Sequence, residues 1–428
     1  MKLAGRVAAA IEIIMEITTR NRPASEALRD WGKAHRFAGS TDRHAIGTLV
    51  FDTLRRKNAA AAKMNDDAPR ALILGTLAVV WKLDVKDIAA LAEESFGPGA
   101  LTSAESAALA KPPAENLPPH VAGDFPKWLQ PQFEEAFGSD LVAEMAALAE
   151  RAPVDLRVNT LKAKREDILA ALAKFGAEAT KLSPMGIRIP PPGIDVRNVN
   201  VEAEPAHGLG QYEVQDEASQ LAAALTGVHP GETVLDICAG AGGKSLALAA
   251  LMQNRGKLIA YDRDKHRLRP IFERITRAGA TNIEVVAADE SGKLARPGGY
   301  DLVVVDAPCT GSGTWRRKPD AKWRLSDKQL IIRLKEQGDV LEKAAQYVAK
   351  NGRLAYFTCS VLPAENTAQV ASFLKAHRDF EIHPVKDQWR KHLPGEPPVS
   401  ADGRRDTLQL TPLQHGTDGF FMALMRRK

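Results

Sequence analysis

Cysteine is scarce in this chain: among 428 residues there are three, Cys238, Cys309 and Cys359. Three thiols are too few for a disulfide scaffold and their spacing does not suit a zinc site. No bound metal is therefore expected, and the compartment reads as reducing and cytoplasmic. Long hydrophobic runs are missing as well. No stretch of about 18 uninterrupted apolar residues occurs, so no membrane span is expected. Glu12 and Glu16 interrupt the apolar start of the chain, which does not read as a signal peptide. No internal repeat or low-complexity segment is evident. What is present is an ordinary globular balance, 44% hydrophobic and 26% charged residues, which excludes fibrous and wholly disordered chains. The length suits two or three domains, and a domain above ~150 residues buries roughly 70% of its unfolded surface without staples.

The formal net charge is only +5, unevenly spread. Residues 1–57 hold eleven lysines and arginines against six acids, whereas residues 87–150 hold two against eleven. The basic part includes Arg20, Arg22, Arg29, Lys33, Arg36, Arg43, Arg55, Arg56 and Lys57. A second cluster joins Arg316, Arg317, Lys318, Lys322 and Arg324 to Trp315 and Trp323. Clustered bases neutralise phosphates and aromatics stack on unpaired bases, so Arg316, Arg317 and Lys318 are candidate RNA contacts. The alternative for either cluster is a solvated helix face.

Residues 3–110 read as helical. Val7, Ile11, Ile14 and Ile17 recur at helical spacing and would share a buried face. Further helices are expected over 25–33, 41–56, 68–82 and 85–94, with Ser25 and Thr41 as N-caps. Lys111-Pro112-Pro113 and Leu117-Pro118-Pro119 mark a linker, and one more helix is expected over 132–151. From Val154 a short strand, a helix over 165–175 and a strand over 186–189 suggest a small α/β subdomain. Beyond it strands alternate with helices: 234–238, 257–262, 283–288, 302–306, 353–358, 381–385 and 420–425. Continuous apolar strands of this kind build a mostly parallel sheet covered on both faces. The expected division is 1–145, 146–205 and 206–428.

Four motifs carry chemistry. The strand at Val234 runs into the turn Cys238-Ala239-Gly240-Ala241-Gly242-Gly243-Lys244 and then a helix. Glycines let backbone approach a ligand, and a helix N-terminus favours anionic groups. Gly243-Lys244-Ser245 resembles the end of a P-loop, and Leu302–Asp306 would pass for its second strand, but a Walker A pattern needs glycine where Cys238 stands. The dinucleotide fingerprint fails on spacing. Asp262 ends the next strand, where an acid accepts ribose hydroxyls or caps a helix, and position favours the ribose. Asp289 ends the third strand, where it would reach an adenine amine or serve as a turn residue. The third motif, Asp306-Ala307-Pro308-Cys309, follows the fourth strand, and the last, Thr358-Cys359-Ser360, ends the fifth, with Glu365-Asn366 soon after. A lone free cysteine is usually an inert small hydrophobe. Two at the carboxyl ends of strands, in the crevice where such sheets bind ligands, favour function.

On these motifs the chain resembles the Sun (Fmu) family of S-adenosylmethionine-dependent RNA cytosine-5 methyltransferases. The matching stretches are Leu156 to Asn159, Val214 to Ser219, Asp236 to Ser245, Asp306 to Thr314, Thr358 to Asn366 and His415 to Phe420, from about residue 125 to the end. Ala241 stands where the family commonly has proline. The helical start, through Asp42-Arg43-His44-Ala45 to Leu54-Arg55, resembles the NusB-like RNA-binding domain of the small-subunit ribosomal RNA methyltransferase B branch (RsmB). The resemblance implies a Rossmann-like catalytic domain, a small α/β RNA-binding subdomain and a NusB-like helical domain. It implies S-adenosylmethionine held by Cys238 to Lys244 with Asp262 and Asp289, and Asp306 on the cofactor or the cytosine. It also implies Cys359 as nucleophile and Cys309 as the cysteine that assists elimination.

C5 of cytosine is a poor nucleophile. A thiolate added at C6 makes the ring an enamine, reactive at C5, and a thiol of pKa near ~8.5 needs help to ionise at neutral pH. A paired base cannot present C6, so the target must be unpaired or flipped out. Ribosomal RNA is the favoured substrate and transfer RNA the alternative. Three remoter readings remain: a DNA cytosine-5 methyltransferase acting through Cys309, which leaves Cys359 unexplained; a P-loop NTPase, against which Cys238 stands; and a non-catalytic RNA-binding factor, which leaves both cysteines idle.

Overall fold

The computed structural model describes residues 1–112, 115–191, 193, 199–294 and 298–428; Pro113 of the expected linker lies outside them. The described chain opens on α1 (Leu3–Arg20), α2 (Ala24–Ala34), α3 (Ser40–Arg55), α4 (Lys57–Met64), α5 (Pro69–Val79), α6 (Val85–Glu93) and α7 (Ser103–Ala110). Val7, Ile14 and Ile17 turn inward as their spacing predicts, joined by Ile13, while Ile11 is half-buried. α5 is apolar almost all round because it is the buried helix of the group, packed on α1, α3 and α4.

The expected caps are wrong. α2 starts after Pro23, and its Ala24 amide bonds to Asp320 Oδ2 at 3.3 Å, so Ser25 lies inside the first turn. α3 starts after Gly39, whose amide donates to Asp42 Oδ2 at 3.3 Å, so Thr41 caps nothing. The helix expected over 132–151 is two, Gln130–Phe137 and Leu141–Leu148, because Gly138 takes a φ of +51° between them.

A small antiparallel sheet follows, with β1 (Val154–Val158), β2 (Glu178–Ala179), β3 (Gly186–Ile189) and β4 (Tyr212–Val214) in the order β2-β3-β1-β4. Its fourth strand comes from beyond residue 205. The helix Arg165–Leu172 buries Ile168 and Leu172 in the core beneath it.

The large sheet has eight strands: β5 (Thr233–Asp236), β6 (Lys257–Asp262), β7 (Ile283–Ala287), β8 (Tyr300–Asp306), β9 (Val348–Thr358), β10 (Phe380–Ile382), β11 (Leu408–Leu410) and β12 (Phe420–Arg427). Their order is β10-β12-β9-β8-β5-β6-β7, with β11 beside β12. β9 through β7 are parallel; β10, β11 and β12 pair antiparallel. The parallel strands read as unbroken apolar runs because both faces are covered. Val234, Leu258, Leu302 and Ala355 fill one core, and Leu235, Ile259, Val303 and Tyr356 the other. From β5 the chain winds outward to β6 and β7, then returns to lay β8 on the other side. The carboxyl ends of β5 and β8 therefore flank the point where the winding reverses, which is where open sheets of this kind form a crevice. Among the described residues no helix is long and apolar enough to cross a membrane.

Candidate active site

β5 ends at Asp236, and the chain passes through Cys238 to Gly242 into the helix Gly243–Leu251. Gly240 has φ +51° and Gly242 φ +83°, and a Cβ on Gly242 would lie 2.4 Å from Ile271 Cγ1, so the turn demands glycine there. Three side chains brace it from outside. Asp262 Oδ2 accepts the Gly240 amide at 3.0 Å, Arg274 Nη1 donates to the Ala241 carbonyl at 2.7 Å, and Arg157 Nη1 donates to the Gly243 carbonyl at 2.8 Å. Burial pushes the Arg157 guanidinium down to about 10. Glu213 holds Arg274 and Arg277 at 2.9 and 2.8 Å. Sequence reasoning gave none of these arginines a role. Arg274 sits in an amphipathic helix among other charges, with no local signal; Arg157 stands in a matched stretch, the only hint available.

β8 and β9 run side by side, Asp306 level with Phe357, and the loops leaving them bring Cys309 Sγ within 3.4 Å of Cys359 Sγ. The loops are tied together tightly. The Gly313 amide donates to the Cys359 carbonyl at 3.0 Å, and the Gly419 amide to the Gly313 carbonyl at 2.8 Å. A Cβ on Gly313 would fall 2.0 Å from the Gly419 carbonyl oxygen, so the approach is open to glycine alone. Buried Glu365 accepts the Thr310 amide at 2.8 Å, the Thr310 hydroxyl at 2.6 Å and Gln337 Nε2 at 3.0 Å. Asn366 accepts the Thr358 hydroxyl at 2.5 Å and donates to the Ser360 carbonyl at 3.0 Å. The Cys309 thiol is raised well above the ordinary thiol range, first by its hydrogen bond with Cys359, then by burial and by the charges of Cys359 and Glu365. Burial, with Asp236, Asp262 and Asp306 nearby, also raises Cys238, which leaves it an inert thiol.

Lys244 joins the turn to the cysteine loops. Its Nζ lies 2.5 Å from Ser219 Oγ, 3.3 Å from Asp306 Oδ2 and 4.7 Å from the Phe420 ring centre. A cleft of ≈ 660 Å³ brings together Cys238, Ala239, Gly240, Ala241, Gly243, Lys244, Asp306, Cys309 and Cys359. Asp289 lies outside it, on an adjoining hollow of ≈ 590 Å³ that shares Arg263 and Asp264 with the cleft. Asp262 is buried behind the turn rather than free in the cleft. Besides Gly240 it takes the Asp264 amide at 2.9 Å and Arg267 Nη1 at 3.3 Å, and the helix cap beside it is Asp264. Asp236 Oδ2 accepts the Ser245 hydroxyl at 2.7 Å, while Oδ1 is buried without a partner, and burial raises this carboxyl to about 7. Among the described residues no group of three His, Cys, Asp or Glu side chains is placed to hold a metal ion.

The expected RNA-contact trio needs correction. Arg316 is 5% exposed; its Nε donates to Asp418 Oδ1 and its Nη2 to the Gly416 carbonyl. Arg317 donates to Asp418, to Asp216 Oδ2 at 3.1 Å and to the Pro153 carbonyl at 2.9 Å. Lys318 alone is exposed. The tryptophans also turn inward. Trp315 packs edge-on against Phe133 in a buried core, and Trp323 Nε1 donates to the Leu54 carbonyl at 2.6 Å. Lys322, 2% exposed, donates to the Arg55 and Asp124 carbonyls at 2.8 and 2.6 Å. This basic, aromatic segment seats the helical region on the large sheet, and apart from Lys318 its named side chains are spent internally.

Comparison with known proteins agrees with this geometry. A family model described as 16S rRNA methyltransferase RsmB/F matches residues 223–426, and a RsmF/B-like ferredoxin-like domain matches residues 125–197. The probable ribosomal RNA small subunit methyltransferase B of Synechocystis sp. is 32% identical over 71% of this chain and 67% of its own length. Its counterpart from Bacillus subtilis is 34% identical over 71% of this chain and 66% of its own. The crystal structure of PH0851 matches with a TM-score of 0.75 at 25% identity, covering 100% of both chains.

Proposed function

The chain belongs to the family described as 16S rRNA methyltransferase RsmB/F, and from that premise we propose that it methylates C5 of an unpaired cytosine in small-subunit ribosomal RNA through a covalent bond from Cys359 to C6. The observation that carries the proposal is the pair of sulfurs 3.4 Å apart in one cleft with the glycine turn. Members of such a family depend on S-adenosylmethionine, which when bound supplies an electrophilic methyl carbon.

The residues present suit that cofactor. Glycines stand where a Cβ would fill the cradle, the Asp236 Oδ1 oxygen has no partner, and acids accompany the turn at Asp262, Asp264 and Asp306. Cys238 to Lys244 would hold it, with Asp289 toward the adjoining hollow. Ribose hydroxyls would reach Asp262 by displacing Arg267, because each carboxylate oxygen keeps a lone pair beyond its backbone bond.

Two thiols allow two steps. The two sulfurs lie within hydrogen-bond reach of each other, and Cys359, as its thiolate, is the attacking group. The thiolate adds to C6, the ring electrons move to C5, and C5 becomes the nucleophilic carbon. Cys309 stands beside the adduct and assists its elimination: the C5 proton leaves to a base, its electron pair re-forms the C5–C6 double bond, and the pair of the C6–sulfur bond returns to Cys359. Lys244, fixed by Ser219 and Asp306, places a positive charge beside the cysteine loops.

The test is incubation with small-subunit ribosomal RNA and methyl-labelled cofactor, followed by bisulfite sequencing. Label at C5 of one cytosine is expected; label on an exocyclic nitrogen or a ribose hydroxyl would overturn the cysteine mechanism.

A further inference from the structure

A second cleft, of ≈ 680 Å³, opens between α2 and α3 on one side and residues 151–154 with Arg316 and Arg317 on the other. Its volume falls within the ~300–1,000 Å³ typical of ligand sites. The floor is apolar, formed by Leu28, Ile46 and Phe51. The charge around it is lopsided. Among the described residues Asp52 is the single carboxylate of its lining, and it is already shared by Arg55 at 3.2 Å, Arg151 at 2.6 Å and Trp81 Nε1 at 3.1 Å. Arg29 is 62% exposed and, among the described residues, pairs only with Asp30, 3.8 Å away. Arg43 is exposed, and its guanidinium makes no hydrogen bond or ion pair among the described residues. Its stem lies against Gly32, where a Cβ would sit 2.9 Å from Arg43 Cδ. The wall also holds Trp31, stacked on His35 at 4.3 Å.

We propose that this cleft binds single-stranded RNA adjoining the target cytosine, with phosphates on Arg29 and Arg43 and an unpaired base on the apolar floor. Exposed guanidiniums call for a polyanion, and an apolar floor beside Trp31 and Phe51 calls for a base face, which a duplex keeps stacked inside itself. The proposal rests on the RNA substrate proposed above. Arg317 lines this cleft and donates to Asp216; the preceding residue, Gln215, lines the cysteine cleft. The two clefts thus border one short segment.

The test uses the full chain with Arg29 and Arg43 both changed to alanine. Both are exposed, so the fold should hold, and unchanged S-adenosylmethionine binding checks it. A fluorescent single-stranded RNA oligonucleotide is titrated by anisotropy over a salt series, with a duplex of equal length in parallel. The single strand should bind about tenfold or more weakly, with the slope of log affinity against log salt reduced by ~1.4, two contacts at ~0.7 each. The duplex should lose less. An unchanged single-strand slope, or equal losses for both forms, would overturn the proposal. Absence of methylation by the wild-type chain would instead overturn the RNA methyltransferase reading, and the anisotropy result would still judge the cleft.

Discussion

Residues 306–314 and 315–324 follow one another in the chain, and both are dense in reactive or charged side chains. The first stays at the crevice, with Asp306 and Cys309 lining it beside Cys359. The second turns away at Trp315 and buries Arg316, Lys322 and both indoles between domains to different depths. What separates them is geometry that the backbone imposes. A loop leaving the carboxyl end of a parallel strand opens into the crevice whatever its composition. A helix such as Pro319–Arg324 has a side to bury as well as a side to expose, and a count of its charges does not say which is which. Strand-end position therefore told which side chains reach the crevice, and charge density did not.

The comparison breaks most sharply at the cysteines. Cys359→Ala should abolish methylation and form no adduct with RNA, while Cys309→Ala should accumulate a protein–RNA species that survives denaturing electrophoresis. The reverse pattern on one gel would transfer the nucleophile's role to Cys309. In the second segment, Arg316→Ala should lower stability by about 1.5–3 kcal/mol in denaturant titrations, because Asp418 and Asp216 lose one buried partner and keep only Arg317 among those named. Native stability with weakened RNA binding would restore Arg316 to the RNA surface.

Lys322 gives a subtler effect. Burial pushes its ammonium down to about 7, against ~10.4 in an unfolded chain. Between those values the unfolded chain holds a proton that the folded chain has lost, so stability should rise as pH climbs from about 7 to about 10. Thermal melts of Lys322→Met should lack that rise; an identical pH profile would mean that Lys322 stays charged in the fold. The smallest effect belongs to Lys318, the exposed member of its trio. Lys318→Ala should change stability by less than about 0.5 kcal/mol and the RNA salt slope by no more than ~0.7. A larger slope change would mean that this face is an RNA surface after all.

The sequence was most legible where one physical constraint acted alone. β5, β6, β8 and β9 announce themselves because burial on both faces demands unbroken apolar runs, and the turn after β5 does so because Gly240 and Gly242 need positive φ. Both cysteines were found from those strand ends. Legibility failed where the deciding partner is far away in the chain. The α2 amide is satisfied by Asp320, nearly three hundred residues on, so a local cap at Ser25 was never needed. β11 is three residues long and exists through its pairing with β12. Arg274 supports the glycine turn from a separate helix, and Lys322 is buried by carbonyls of Arg55 and Asp124. Asp262 was placed at the right strand end, but its carboxylate first serves the turn's own amide.

The contact of Gly313 with Gly419 has a consequence for synthesis. A ribosome delivers Cys309 and Cys359 first and Gly419 sixty residues after the second, a delay of several seconds at roughly 5–20 residues per second. During that delay β9 and β10 wait for β12, which must be inserted between them. The loop bearing Cys309 meanwhile lacks the neighbour that presses it toward Cys359. The thiol pair is thus among the last features of the molecule to be assembled, and a nascent chain stalled before Gly419 carries both sulfurs without the clasp that sets them side by side.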